Sequence, residues 1–119
     1  MIVQSALRTS SPALHSKRVF IHRLFTTIAP RYDWFNRLAS VGLDQRWRRQ
    51  AIAEARLVAG MRVLDVCTGT GDLALLCAAS LNGQGLVVGL DFTDLMLRGA
   101  AQKHRRRTIP TTIAWMQAD

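Results

Sequence analysis

Acidic residues are scarce in this chain and absent from its beginning: no Asp or Glu precedes Asp33, against Arg8, Lys17, Arg18, Arg23 and Arg31. Over all 119 residues, 8 acids face 16 Lys and Arg, a formal charge of +8. Such an excess implies an anionic neighbour and leaves membrane and nucleic acid both open. Cysteine is limited to Cys67 and Cys77. They sit among apolar residues without a Cys-x-x-Cys pair, which excludes a disulfide framework and predicts two reduced, buried thiols of the cytosolic kind. His15, His22 and His104 are too scattered to form a metal motif, so no metal is expected. Long hydrophobic runs are missing as well. The longest, Leu73 to Ala79, is far too short to span a bilayer. No repeat or low-complexity tract interrupts a composition that is 49% hydrophobic, so one folded domain at most is expected.

What is present is concentrated in Val63-Leu-Asp-Val-Cys-Thr-Gly-Thr-Gly-Asp-Leu-Ala74. A buried-strand pattern runs through Asp65 into Gly69 and Gly71 and opens a helix at Asp72. Glycine lets the backbone bend tightly there and lets a ligand approach where a Cβ would collide. Gly69, Gly71 and Ala74 satisfy the Gly-x-Gly-x-x-Gly/Ala spacing of dinucleotide sites, a weak signal alone. Asp65 and Asp72 would flank a doubly charged phosphate, however, and repel it. A ligand carrying an ammonium and a sulfonium suits an acid-lined glycine turn better, and S-adenosylmethionine is the common cofactor of that description.

About twenty residues on, Leu86-Val-Val-Gly-Leu-Asp91 is a second apolar run ending in an acid, placed to finish beside the first in a parallel sheet. Asp91 can there accept from both ribose hydroxyls, at about 1.5 to 3 kcal/mol per bond to an ionised acceptor. A third run, Thr112 to Gln117, precedes Ala118-Asp119. Each acid alone reads equally well as a helix cap or turn residue; their shared register favours a site. The alternation predicts an α/β fold: strand, helix 72–80, strand 86–90, helix 93–106, strand 112–117. The three parallel strands take the order 3-2-1, one Rossmann-like half of a doubly wound sheet. Strand 1 would be left with a free edge, which predicts the N-terminal part of a longer enzyme.

Ahead of this unit, Phe20, Leu24 and Ile28 recur every four residues and predict an amphipathic helix from Lys17 to Ala29, stopped by Pro30. A short helix capped near Asp33 follows. A third, with Asp44 as N-cap and Trp47, Ala51, Ile52 and Ala55 turned inward, is expected to end at Gly60. The predicted organisation is a leader over 1–16, a helical segment over 17–60 and a cofactor-binding half-domain over 61–119. The leader, acid-free and carrying Ser5, Ser10, Ser11 and Ser16, is either disordered or an organelle transit segment, which would place the protein in the mitochondrial matrix rather than the cytoplasm. The basic cluster Arg98, Lys103, Arg105, Arg106 and Arg107 reads as a solvated helix end that complements the helix dipole.

Two blocks carry a closer resemblance. Phe25-Thr-Thr-Ile-Ala-Pro-Arg-Tyr-Asp-Trp-Phe-Asn36 and Ser40-Val-Gly-Leu-Asp-Gln-Arg-Trp-Arg48 resemble the N-terminal signature of the ubiquinone/menaquinone biosynthesis C-methyltransferase family. The glycine turn, Val88 to Asp91 and Met96-Leu97 match it in order and spacing. Leu24 replaces a usual methionine, and the family continues past Asp119. The resemblance implies a class I S-adenosylmethionine-dependent methyltransferase in which Asp65, Thr68, Gly69, Thr70 and Gly71 meet the methionine part of the cofactor. It implies that Asp91 holds the ribose, that Asp119 lies beside the adenine, and that Tyr32, Asp33 and Asn36 sit on a helical lid over the cofactor.

The implied reaction moves a methyl group to a ring carbon of a prenylated hydroquinone, which requires the ring to be held in line and its phenolate favoured. No general base is assignable: it is expected in the part of the family beyond Asp119, and Tyr32 and Asp33 are lesser candidates. Because a prenylated substrate lives in the bilayer, the basic faces would dock on anionic lipid at the inner membrane; nucleic acid is the lesser expectation. The rival readings are another class I methyltransferase acting on a small molecule or RNA, an NAD-dependent oxidoreductase, and a non-catalytic basic fragment that binds membrane or nucleic acid.

Overall fold

The computed structural model describes residues 12–28, 31 and 43–118. Helix α1 spans Pro12–Ile28 and α2 Leu43–Ala55; then β1 (Arg62–Val66), α3 (Asp72–Leu81), β2 (Leu86–Asp91), α4 (Asp94–Arg105) and β3 (Thr112–Gln117) alternate. The strands form one parallel sheet in the order β1-β2-β3, with Val63 beside Val87 and Val87 beside Ile113. The α/β alternation and strand order read from the sequence are therefore those of the fold.

Burial alternates along β1 and β2, and one face of the sheet carries Val87, Gly89 and Asp91, all buried, with Ile113 and Trp115 beside them. Helix α3 lies against this face. Ala74 and Ala78 let it approach closely, and Leu75, Cys77 and Leu81 fill the space with Val87 and Ile113. Ile52 of α2 and Leu57 pack on the margin of that core. The opposite face stays open: Leu64 is 60% and Val66 63% exposed. Parallel sheets are ordinarily covered on both faces.

Helix α3 ends at Asn82, whose left-handed conformation (φ 46°) lets its N–H reach the Ala79 carbonyl. Thr111, 1% exposed, clasps that end: its hydroxyl donates to the Ala78 carbonyl and accepts the Gly83 N–H, both at 2.7 Å. Nothing in the sequence marks Thr111 for this role.

Three expectations change. Helix α1 begins at Pro12, not Lys17; proline is well suited to the first turn, where its missing N–H has no partner to lose. Its Phe20, Leu24 and Ile28 stripe is exposed. Helix α2 stops at Ala55 instead of Gly60, since Arg56 already has a positive φ of 47°. It also presents a different face: Asp44, Arg48 and Ile52 are half-buried, while Trp47 is 61% exposed and Ala51 and Ala55 face solvent. The two stripes lie one residue apart, about 100° around the helix, and the ion-pairing stripe wins the inward position. The short helix expected near Asp33, the leader up to Ser11 and Asp119 lie outside the described residues.

Candidate cofactor site

The site grows from the turn between β1 and α3. Cys67 leaves β1 with φ 59°, Gly69 follows at 57° and Gly71 at 79°. Left-handed backbone at three of five positions coils the chain tightly. The turn is tied at both ends: the Thr68 N–H donates to Leu90 O at 2.8 Å and the Gly71 N–H to Thr68 O at 2.9 Å. The two glycines have different tasks. A Cβ on Gly71 would stand 2.6 Å from Trp115 Cη2 and 2.8 Å from Ala100 Cβ, so glycine is needed for packing. A Cβ on Gly69 would meet nothing within 4 Å, because Gly69 faces open space.

That space is a cleft of about 280 Å³ lined by the turn from Asp65 to Thr70, by Asp72 and Leu73, and by Arg48 of α2. Within it the Thr68 hydroxyl donates to Asp65 Oδ2 at 2.6 Å, which fixes that carboxylate at the mouth of the turn. Asp91 lies behind the turn and is 6% exposed. Its Oδ2 accepts the Gly69 N–H at 2.8 Å and its Oδ1 the Thr93 N–H at 2.9 Å. An ionised carboxylate offers about four acceptor sites. The two backbone N–H groups occupy two of them.

Asp72 behaves differently from its expected role as a phosphate-repelling acid. Lys103 Nζ donates to Asp72 Oδ1 at 2.9 Å and to the Thr70 hydroxyl at 2.8 Å. Arg48 Nη1 bonds Asp44 Oδ2 at 2.7 Å and reaches Asp72 Oδ2 at 3.4 Å. Asp72 is thus neutralised by two cations, and the negative character left at the turn rests on Asp65 and Asp91. Lys103 correspondingly leaves the solvated basic cluster and turns inward, while Arg105, Arg106 and Arg107 remain exposed.

The cysteines also divide. Cys77 is buried in the core, and burial, with the Asp65 carboxylate nearby, pushes its thiol pKa up. Cys67 was expected to be buried but is exposed at the cleft, because the turn carries it out of the strand.

Of the residues singled out from the sequence, the structure brings Asp65, Thr68, Gly69 and Thr70 into one cleft. Gly71 is buried beneath it, and Asp91 touches it through Gly69. Tyr32, Asp33 and Asp119 lie outside the described residues. Sequence reasoning gave Arg48 and Lys103 no part in the site: Arg48 figured only in a signature block and Lys103 only in a basic run. The i to i+4 spacing of Asp44 and Arg48 was the available signal. Among the described residues no cluster of three or more His, Cys, Asp or Glu could hold a metal, and no helix is long and apolar enough to cross a membrane.

The donor set suits a cationic, amino-acid-bearing nucleoside: the fixed Asp65 carboxylate, the ion-paired Asp72 and one guanidinium line the cleft, and Gly69 leaves room for close approach. Comparison with known proteins points the same way. The profile of the ubiE/COQ5 methyltransferase family matches residues 13–119. The chain is 48% identical over 83 residues to the ubiquinone/menaquinone biosynthesis C-methyltransferase UbiE of Geotalea uraniireducens, covering 70% of this chain and 35% of that one. It is 39% identical over 97 residues to the demethylmenaquinone methyltransferase of Lactiplantibacillus plantarum, covering 82% and 40%. It therefore spans roughly 35–40% of the length of these relatives. Among solved structures, a SAM-dependent methyltransferase from Geobacter sulfurreducens in complex with S-adenosyl-L-homocysteine superposes with a TM-score of 0.53 at 22% identity, over 60% of this chain and 28% of that one. One from Aquifex aeolicus gives 0.53 at 24%, over 60% and 38%. The fold is that of class I S-adenosylmethionine-dependent methyltransferases.

Proposed function

Because the chain belongs to the ubiE/COQ5 methyltransferase family, we propose that its glycine-turn cleft binds S-adenosylmethionine for C-methylation of a polyprenylated hydroquinone in menaquinone or ubiquinone synthesis. The observation that carries this reading is the turn itself: Gly69 borders open space and is held by Asp91, with Asp65 fixed at its side. When bound, the cofactor supplies a methyl group activated by its sulfonium. Asp65, oriented by Thr68, accepts from the ammonium. Asp91 accepts from the ribose diol. Thr70 and Gly71 shape the floor of the turn, and by the family resemblance Tyr32, Asp33 and Asp119 complete the set.

The acceptor reaches the protein from the bilayer in this reading. Helix α1 exposes Val19, Phe20 and Leu24 beside Lys17 and Arg23, and α4 ends on exposed Arg105, Arg106 and Arg107. Apolar groups beside cations are what an anionic membrane surface selects, so contact with the membrane is peripheral. Family membership disfavours the NAD-dependent reading.

The test is transfer of label. The chain is mixed with methyl-labelled S-adenosylmethionine and a short-chain prenylated naphthoquinol or benzoquinol in vesicles containing anionic lipid. Label recovered on the quinol ring carbon supports the assignment. Label that stays on the cofactor while both ligands are bound contradicts it.

A further inference from the structure

Among the described residues, Arg48 is the one cation lining the cleft. It enters from α2, outside the sheet unit, and lines the same cavity as Asp65. Its side chain is 25% exposed. Among the described residues its hydrogen bonds all run from Nη1, to Asp44 and Asp72. A guanidinium carries five N–H donors in a rigid fork matched to a carboxylate, so Nε and Nη2 are left to serve another acceptor. The two acids fix the fork in place without using it up.

The charges lining the cavity also favour this use. Asp72 already has Lys103 at 2.9 Å and does not depend on Arg48 alone. Asp65 supplies a negative site for an ammonium, and a free α-amino acid end carries a carboxylate beside that ammonium. With Asp72 held by Lys103, Asp65 and Arg48 leave one negative and one positive group for a zwitterion; without Arg48 the cofactor's carboxylate would face only Asp65 and Asp72.

We propose that Arg48 holds the α-carboxylate of the methionine end of S-adenosylmethionine and makes the cleft selective for ligands that carry it. This rests on the cofactor assignment above. It gives the inward face of α2, and with it the segment ahead of the sheet, a direct part in cofactor recognition.

The test is a ligand-by-variant cycle on the whole chain, read by calorimetric titration. S-adenosylmethionine is compared with its decarboxylated analogue, which keeps the amine and the sulfonium, in wild type, Arg48→Gln and Arg48→Lys. Circular dichroism and thermal melting accompany each variant. Wild type is expected to prefer the carboxylated ligand about 10- to 100-fold, the range for a charge-assisted contact. Arg48→Gln should lose that preference by weakening only the carboxylated ligand, and Arg48→Lys should restore part of it. Equal weakening of both ligands would make Arg48 a strut between α2 and α3 and overturn the proposal, as would unchanged affinity for both. A folded wild type that binds neither ligand overturns the cofactor assignment together with the proposal. Normal binding of both without preference overturns the proposal alone.

Discussion

The carboxylate of Asp91 accepts the N–H of Gly69, 22 residues earlier in the chain, at 2.8 Å. Its other oxygen takes the Thr93 N–H at 2.9 Å. One side chain at the end of β2 thereby fixes the turn after β1 and the start of α4. Asp91→Ala removes both acceptors and leaves the half-buried Gly69 N–H and the buried Thr93 N–H without their partner, at about 1 to 3 kcal/mol for the buried donor. A lower melting temperature and weaker binding of S-adenosylmethionine are expected together. An unchanged melting temperature would show that the turn does not need this anchor.

The two glycines of the turn should separate stability from binding. Gly69→Ala places its Cβ in open space and carries only the left-handed strain, about 1 to 2 kcal/mol. Urea unfolding should shift modestly while cofactor affinity falls, because the new methyl points into the cleft. Gly71→Ala must displace Trp115 and Ala100. It adds overpacking of about 1 to 3 kcal/mol to the same strain and should be the more destabilising of the pair.

The thiols predict a labelling pattern. Iodoacetamide should modify exposed Cys67 in the folded protein and reach Cys77 only after denaturation. S-adenosylmethionine should protect Cys67, which lines the cleft. The sign of the pH effect follows from the raised Cys77 pKa. The thiol is neutral in both states at low pH, and above the ordinary value of 9.0 the unfolded chain ionises first. Stability therefore declines as pH climbs past 9.0, and Cys77→Ala should lessen that slope.

Lys103 links α4 to the turn through Thr70 and Asp72. Lys103→Met keeps most of the side-chain length but leaves Asp72 with Arg48 alone. A loss of about 1 to 3 kcal/mol is expected, larger at low salt than at high salt. No salt dependence would mean that the ion pair contributes nothing.

The sheet and its turn were legible because their signals are local. Apolar runs of strand length, glycines at the turn and acids at the strand ends are set by neighbours in sequence, so the strands, α3, α4 and the place of Asp65 and Asp91 followed. What depended on long-range pairing did not. Asp72 looked like a free acid until Lys103, 31 residues away, came to rest on it. Helix α2 carries two candidate inward stripes, and periodicity cannot choose between Trp47 and Arg48 when the deciding partner, Asp72, lies on another element. Thr111 was silent for the same reason: its partners Ala78 and Gly83 are distant in sequence.

The most direct test of the cofactor assignment is calorimetric titration of the chain with S-adenosylmethionine and, separately, with NAD, on protein shown to be folded by circular dichroism. Saturable binding of S-adenosylmethionine, no binding of NAD, and loss of affinity in Asp65→Ala are the expected results. A folded chain that takes up NAD, or neither ligand, would contradict the assignment of this cleft.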